Sequence, residues 1–475
     1  MATSPSVPTV AIIGGGFTGA AVAYHLAKRA ASPLQILIFD PRPDIGSGLA
    51  YSTVDPSHRI NVPAGRMTLE PEDERHFVRW LEADGEIRGD CSATLTDGRC
   101  FPARRLFGRY ITQNLAPLLD TGQIVHHRAC VASITPTNGR WRIGTTNGFE
   151  SAADIVVIAT SHPPPVPPPT LSDSLGGHHK FISDPWALDA LDAVAIRDRV
   201  LVVGTGLTMA DVIASLDGKG HVGDITAISR RGQRSRSHAA KPVEPYGDFL
   251  NPPSRTALDL LRRVRDAVKK GGPWQGLFDR LRTQGQDIWT ALPLPEQRRL
   301  IRHLRPFWDT HRFRIAPQIG ALLDRRTADG TLTISAASIQ AAGMKDDGFA
   351  ITLRDRAGNI ETRIFDAVIA TTGPGHSRIL DGQPFLAGLV KEGLVISDPT
   401  GLGLAVDTNS RLLGVHGANR SIFVAGPLAR GRFGELMGLP EVTNHAVFVT
   451  ENIISLLGEY HSNYGTYIYN KVNMA

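Results

Sequence analysis

The chain has 475 residues, too many for one compact core, so two or three domains are expected. Hydrophobic residues make up 42% and charged residues 20%, ordinary for a soluble globular protein and unlike a disordered or fibrous one. The formal net charge of +5 suits anionic ligands, but no Lys/Arg run or nucleic-acid motif points to a nucleic-acid partner. Three cysteines, Cys91, Cys100 and Cys130, form no C-x-x-C pair, which argues against a disulfide framework, a Cys-rich zinc site and a redox-active dithiol.

Met1 to Pro8 reads as a disordered tail. With no signal peptide and no bilayer-length apolar run, a cytoplasmic protein without a membrane partner is expected. The apolar run Val10 to Ile13 then enters GGGFTGAA, with Gly14, Gly16 and Gly19 in the G-x-G-x-x-G frame, followed by an Ala-rich helix. A second strand, Leu34 to Phe39, ends in Asp40, 24 residues after Gly16. Strand, turn, helix, strand and terminal acid form a dinucleotide-binding fingerprint. Gly14 permits the turn, Gly16 lets the backbone approach a pyrophosphate, and Gly19 allows close helix–sheet packing. Phe17 and Thr18 begin the helix, whose N-terminus offers N–H groups to the phosphates, and the acid accepts from a ribose 2′-hydroxyl.

Pro41 to Arg66 is a long Pro/Gly-rich loop, the kind that carries function. Helices are predicted at about 72–82 and 105–119, and short strands around Ile124, Trp141 and Ile155 to Ala159. SHPPPVPPPT, Ser161 to Thr170, reads as a stiff extended connector between domains, excluded from helix and sheet ladder.

A second fingerprint follows, with Gly204, Gly206, and Leu207 and Thr208 opening its helix; Met209 takes the third glycine position. The strand Asp224 to Ser229 ends at Arg230, again 24 residues after the second glycine, with Arg231, Arg234 and Arg236 close behind. An arginine in the ribose-reading slot neutralises a 2′-phosphate, so this unit is expected to take NADPH. Residues 255–325 carry Leu, Arg and Trp at helical spacing and read as a helical insertion. Within IRHLRPFWDTHRFRIAP, two readings stand side by side. The arginines are either a solvated helix end, or Arg305, Arg312 and Arg314 form a cationic wall for a carboxylate-bearing substrate. No zinc-like spacing occurs, so no metal is expected. Strands are predicted at 331–336, 349–354, 366–371 and Ile422 to Ala425, then a helix from about Pro440 to Leu457.

The strand ends Asp154 to Thr160 and Asp366 to Gly373 match each other and resemble the domain crossings of flavoproteins with two dinucleotide domains. The implied fold is α/β, with two three-layer Rossmann-like domains, the second inserted in the first. Residues 1–165 and 370–475 would bind FAD, and 198–369 NAD(P)H, including a helical insertion at about 253–325.

GSGLAYSTVDPSHRINVPAGRM (Gly46 to Met67), FPARRLFGRY (Phe101 to Tyr110) and VAGPLARGRFGELMGLPEV (Val424 to Val442) carry a more specific resemblance. They resemble the FAD/NAD(P)-binding oxidoreductase family that is distantly similar to the N-hydroxylating and other class B flavin monooxygenases. The resemblance runs from residue 10 to about 455. It implies that the first turn, with Asp40 and Arg42, serves the FAD adenosine. It places Asn61, Val62 and Pro63 beside the isoalloxazine ring, making Asn61 and Pro63 the candidate catalytic residues. Gly426, Pro427 and the stretch to Glu435 would lie near the FAD pyrophosphate and pyrimidine edge, with Gly373 at the second crossing. The implied activity is oxygenation of a small substrate, anionic and amino-group-bearing, by FAD, NADPH and molecular oxygen through a flavin hydroperoxide. An NAD(P)H-dependent reductase or dehydrogenase without oxygen insertion and a non-catalytic flavin-binding protein stay open as alternatives. Neither the substrate nor the oligomeric state is legible.

Overall fold

The computed structural model describes residues 7–472 except 162, 347, 374 and 376–378; most of the expected N-terminal tail lies outside the described residues. The strand Thr9–Ile13 is buried throughout and pairs in parallel with Gln35–Phe39, Val10 opposite Ile36 and Ile13 opposite Phe39. Between them runs the helix Phe17–Arg29, as the fingerprint requires. Six strands make this sheet, in the order Arg411–Gly414, Gly417–Val424, Ile155–Ile158, Thr9–Ile13, Gln35–Phe39, Ile124–His127. Its strands thus come from both ends of the chain, Phe423 pairing in parallel opposite Val157.

Alternation of side chains across the pleat sends the two halves of each strand to different layers. Val10, Ile12, Ile36 and Ile38 pack against helices, among them Arg104–Asp120 and Glu441–Val472. Ala11, Ile13, Leu37 and Phe39 face the other way, onto Val131, Ile134 and Trp141 of a small antiparallel sheet built from Val131–Thr137, Arg140–Thr145 and Glu150–Ala153. A sheet covered on both faces explains why its central strands are unbroken apolar runs.

The second sheet has seven strands, ordered Ile360–Phe365, Gly348–Asp355, Leu332–Lys345, Ile225–Ser229, Val200–Val203, Ala367–Ala370, Phe181–Ile182. Leu332–Lys345 is longer than the predicted 331–336. Its first part pairs in parallel with Ile225–Ser229, then it continues antiparallel to Gly348–Asp355. The extension is rich in Ala and Gly and largely half-buried or exposed, so no apolar alternation marks it in the sequence. The chain therefore adopts an α/β fold with two sheets built around parallel strands, the second set between the chain segments that form the first.

The two crossings run side by side. Thr372 Oγ1 donates to Val166 O at 3.0 Å, and the Gly375 N–H donates to Pro164 O at 3.3 Å. The proline-rich connector is shorter than expected, because Pro169 and Thr170 already open the helix Pro169–Leu175. Proline is well suited to a first helical position, where its missing N–H costs nothing.

The insertion is helical, from Ala257–Lys269 through Trp274–Thr283, Gly285–Ala291, Leu294–His303 and Arg305–Arg312 to Pro317–Ala328. Thr256 caps the first of these by accepting the Asp259 N–H at 3.1 Å. Phe249, Leu260, Leu277, Leu281 and Ile288 give the insertion a core of its own. The final helix, Glu441–Val472, runs well past the predicted end near Leu457. Among the described residues no helix is long and apolar enough to cross a membrane.

A buried polar tie joins the two nucleotide units. Arg104 grips Asp211 with both terminal nitrogens, at 2.9 and 3.0 Å. Nearby, Ser215 Oγ donates to Asp55 Oδ2 at 2.6 Å and receives the His58 Nε2–H at 2.9 Å.

Candidate functional site

The first glycine turn is tight for steric reasons that can be stated residue by residue. Gly14 has φ 103°, and a Cβ there would sit 2.6 Å from Ala159 O. At Gly19 a Cβ would lie 1.9 Å from Gly14 O, so only glycine lets this helix seat on the turn. The helix Phe17–Arg29 begins after Gly16 without a side-chain cap, leaving first-turn N–H groups, those of Phe17 and Thr18 among them, for an anion. The loop after Asp40 lies backbone to backbone on this turn: a Cβ on Gly48 would come within 3.0 Å of Gly16 Cα.

Asp40 is only 5% exposed. Its Oδ2 accepts the Gly15 N–H at 2.8 Å and its Oδ1 the Arg42 N–H at 2.9 Å, so it braces the turn as well as ending the strand. Each carboxylate oxygen retains a lone pair for a hydroxyl. Arg42 Nη1 stands 3.9 Å from the same carboxylate.

From the far end of the chain Gly426 arrives at the same place. It has φ 75°, and a Cβ on it would be 2.7 Å from Thr18 Oγ1. Its N–H donates to His445 Nδ1 at 3.0 Å, which leaves the His445 proton on Nε2, facing Ser410 Oγ at 3.2 Å. Burial pushes His445 down to about 3, so it holds Gly426 as a neutral acceptor. Pro427 follows in the short turn Gly426–Ala429. Gly373, at φ 76°, stands in the second crossing beside Thr372.

The second turn is more open. A Cβ on Gly204 would strike Thr371 O at 2.4 Å, whereas at Gly206 it would meet nothing within 4 Å. Leu207–Gly218 again starts without a side-chain cap, with Leu207 and Thr208 half-buried at its N-terminus. Met209 is fully buried, filling the space a third glycine would leave. Beyond the strand end, Arg231 stacks over Phe307 with its guanidinium 5.0 Å from the ring centre, and Arg234 pairs with Asp324. Among the described residues Arg230, at the strand end and exposed, pairs with no carboxylate.

Between the two turns and the insertion lies a cavity of about 390 Å³. Tyr51, Asn61 and Pro63 reach it from the loop after the first unit, Leu207 from the second, Arg312 and Arg314 from the insertion. Asn61 is fixed twice: its Oδ1 accepts the Ala316 N–H at 3.1 Å, and its carbonyl accepts the His238 Nε2–H at 2.9 Å. Burial, with Arg314 and Arg99 nearby, lowers His238 to about 4, so its Nδ1 is a free acceptor at neutral pH.

Seven cations line this cavity, Arg66, Arg99, Arg104, Lys241, Arg282, Arg312 and Arg314, against one carboxylate, Asp279. Most are already neutralised. Arg99 pairs with Asp97 at 2.6 Å, Arg282 with Glu441 at 2.5 Å, Arg312 with Glu435 at 2.7 Å and Arg314 with Asp279 at 3.1 Å. Arg104 is held by Asp211. Among the described residues Arg66 and Lys241 have neither an ion-pair partner nor a side-chain hydrogen bond. Burial, then Arg282, lowers the Arg66 guanidinium from its usual value.

Of the three arginines singled out in the sequence, Arg312 and Arg314 thus reach the cavity with their charge spent. Arg305 sits 3.4 Å from Asp309 and faces a different, mainly apolar cavity between the insertion and the C-terminal segment. Glu435 also lines that second cavity. Sequence reasoning missed Arg66, Lys241 and His238; the only signal was that Arg66 closes the Pro/Gly-rich loop. Among the described residues no group of three or more His, Cys, Asp or Glu is placed to hold a metal ion.

Residues 11–163 match a family described as FAD-NAD(P)-binding. A sequence comparison with curated proteins gives no match. Among solved structures, the chain is similar to the FAD-bound cadaverine monooxygenase of desferrioxamine biosynthesis from Erwinia amylovora, at TM-score 0.67 and 14% identity over 94% of each chain. It is similar to L-lysine 6-monooxygenase from Pseudomonas syringae, at TM-score 0.64 and 20% identity, over 95% of this chain and 99% of that one. A third is the ornithine N-hydroxylase of Kutzneria sp. 744 with reduced FAD, NADP+ and L-ornithine, at TM-score 0.62 and 18% identity, over 96% and 100% of the two chains. These likenesses extend over nearly the whole chain.

Proposed function

We propose that the protein is an FAD-dependent, NADPH-consuming oxidoreductase that uses molecular oxygen to oxygenate the amino group of a small substrate. The observation that carries this reading is the central cavity, where the loop of the first nucleotide unit, the first residue of the second unit's helix and the insertion converge. The family match of residues 11–163 and the solved structures bound to FAD, or to reduced FAD with NADP+, support the choice of cofactors.

In this reading FAD is held by residues 1–165 with 370–475. Gly14, Gly16, Phe17, Thr18 and Gly19 offer backbone to its phosphates, Asp40 and Arg42 its adenosine end, and Gly426 and Pro427 close the cradle. NADPH is held by 198–369, its phosphates at Gly204, Gly206, Leu207 and Thr208, and its 2′-phosphate by Arg230 with Arg231. Bound FAD supplies two-electron storage and reactivity toward oxygen. The chain supplies positioning and electrostatics. Asn61, locked by Ala316 and His238, and Pro63 give the cavity a rigid wall. The unpaired Arg66 and Lys241 attract an anionic group and disfavour a second cation, so a substrate amine nearby is kept neutral and nucleophilic.

The test is to mix the purified flavoprotein with NADPH or NADH, with and without oxygen, and to follow flavin absorbance and product. Fast bleaching by NADPH, slow bleaching by NADH, and an oxygenated amine formed only in air are expected. Equal use of NADH would overturn the assignment of Arg230. Reoxidation with peroxide release and no oxygenated product, for any amine tried, would leave a reductase instead.

A further inference from the structure

The second cavity lies between the helical insertion and the C-terminal segment that carries Leu402, Gly434 and Met437, and has a volume of about 240 Å³. Its walls are mainly apolar, with Arg305, Asp309, Arg430 and Glu435 among them. Leu260 and Val264, Phe278, Ile288 and Trp289, and Ile301 reach it from four successive helices. The Trp289 indole N–H is already bonded to Gly431 O at 2.8 Å, so this wall offers a ligand no free donor from that ring.

This chamber shares a partition with the central cavity. Phe313 and Met437 line both spaces. Beside them, Arg312 lines the central side and Glu435 the apolar side, their ion pair at 2.7 Å bridging the divide. Both residues are nearly buried, and neither Arg312 Nη2 nor Glu435 Oε1 makes a well-directed hydrogen bond, so the contact is electrostatic rather than a tight fork. Met437 in this divide accepts from Arg430 Nη1 through its Sδ at 2.8 Å and is followed by Gly438.

We infer that this chamber receives an apolar tail of the substrate, so that the substrates are amphipathic amines, alkyl or arylalkyl, rather than basic amino acids or diamines. The inference rests on the proposed amine oxygenation for the identity of the polar end. The central cavity at about 390 Å³ must already admit the redox ends of two nucleotides, which leaves the adjoining chamber as room for the rest of the substrate. A sealed apolar cavity of roughly 150 Å³ suffices for benzene, so this one accommodates a phenyl ring with a short tail or a chain of about six to eight carbons. A second ammonium or carboxylate there would lose its water to mainly apolar walls, where Arg305 is already paired with Asp309 at 3.4 Å and Glu435 with Arg312 at 2.7 Å.

The probes are n-alkylamines from ethylamine to octylamine, with ornithine for contrast, titrated into the holoenzyme without NADPH. Binding is read by calorimetry and by the fluorescence of Trp289 and Trp308, which line the chamber. Affinity is expected to rise about three- to fourfold per added methylene up to hexyl or octyl, and ornithine to bind more weakly than octylamine. A Cβ on Gly285 would meet only Glu435 Cβ, at 3.5 Å, so Gly285→Leu fits the backbone and fills the chamber. It should weaken octylamine at least tenfold and flatten the dependence on chain length. Ile301→Ala, which enlarges the chamber, should move the optimum one or two carbons longer. A flat chain-length series in the natural protein, or an unchanged series in both variants, would overturn the inference. If the series rises as expected but no amine stimulates NADPH use, the chamber stands and the proposed oxygenation falls.

Discussion

The residue scale is where charge and protonation decide the outcome. The strand-end placement of Asp40 and Arg230 was legible, because each follows a strand at a fixed distance from a glycine turn. Arg66 and Lys241 were not, because a cation is free only if no acid reaches it. The acids that neutralise their neighbours lie far away in sequence, Glu435 for Arg312 and Glu441 for Arg282. Replacing Arg230 with Ala should raise KM for NADPH roughly 10- to 100-fold, the worth of a charged hydrogen bond, and spare NADH. Steady-state kinetics with the two nucleotides checks this. His445 gives a stability prediction. Its folded value of about 3 lies below the ordinary histidine value of 6.5, so the fold is favoured above about pH 6.5 and loses stability as pH falls toward 3. Between about pH 7 and pH 5 the loss from this group is on the order of 2 kcal/mol. His445→Gln keeps an acceptor for the Gly426 N–H, and urea unfolding at both pH values should show that share of the slope removed.

At the scale of elements, the two turns look alike in sequence but differ in what surrounds them. In the first, Gly19 supports the helix: a Cβ 1.9 Å from Gly14 O forces the helix off the turn. Gly19→Ala should therefore lower thermal stability and flavin content together, by an overpacking cost of about 1–3 kcal/mol or more. In the second turn Gly206 faces open space. Gly206→Ala should leave the melting temperature within about 2 °C, while the added methyl crowds the phosphate and raises KM for NADPH. The combination of melting curves and flavin absorbance separates the two. Periodicity found the helical insertion and the nucleotide strands, since each hides a continuous apolar run or stripe. It missed the second half of Leu332–Lys345, whose Ala and Gly side chains show no apolar period. It also stopped the last helix near Leu457, where the apolar stripe thins out.

For the whole molecule, both sites depend on how the nucleotide units are held together. The buried Arg104–Asp211 pair spans them, and Asp211 is held above its ordinary value by burial despite the guanidinium beside it. Asp211→Asn leaves Arg104 without its counter-charge and should cost about 3–5 kcal/mol in denaturant unfolding, far more than a surface pair would. The layout of two interleaved nucleotide units was readable from the matching strand ends. The two adjoining cavities were not, because they are bounded by residues from the loop, the insertion and the C-terminal segment that only the fold brings together. In the proposed function, electrons from NADPH are used to place oxygen on an amine in these cavities. This is tested most directly by single turnover of the NADPH-reduced enzyme with an alkylamine under isotopically labelled dioxygen, read by mass spectrometry. One labelled oxygen atom is expected in the amine product for each NADPH consumed. Flavin reoxidised with all the label in peroxide or water, and none in the amine, would contradict it.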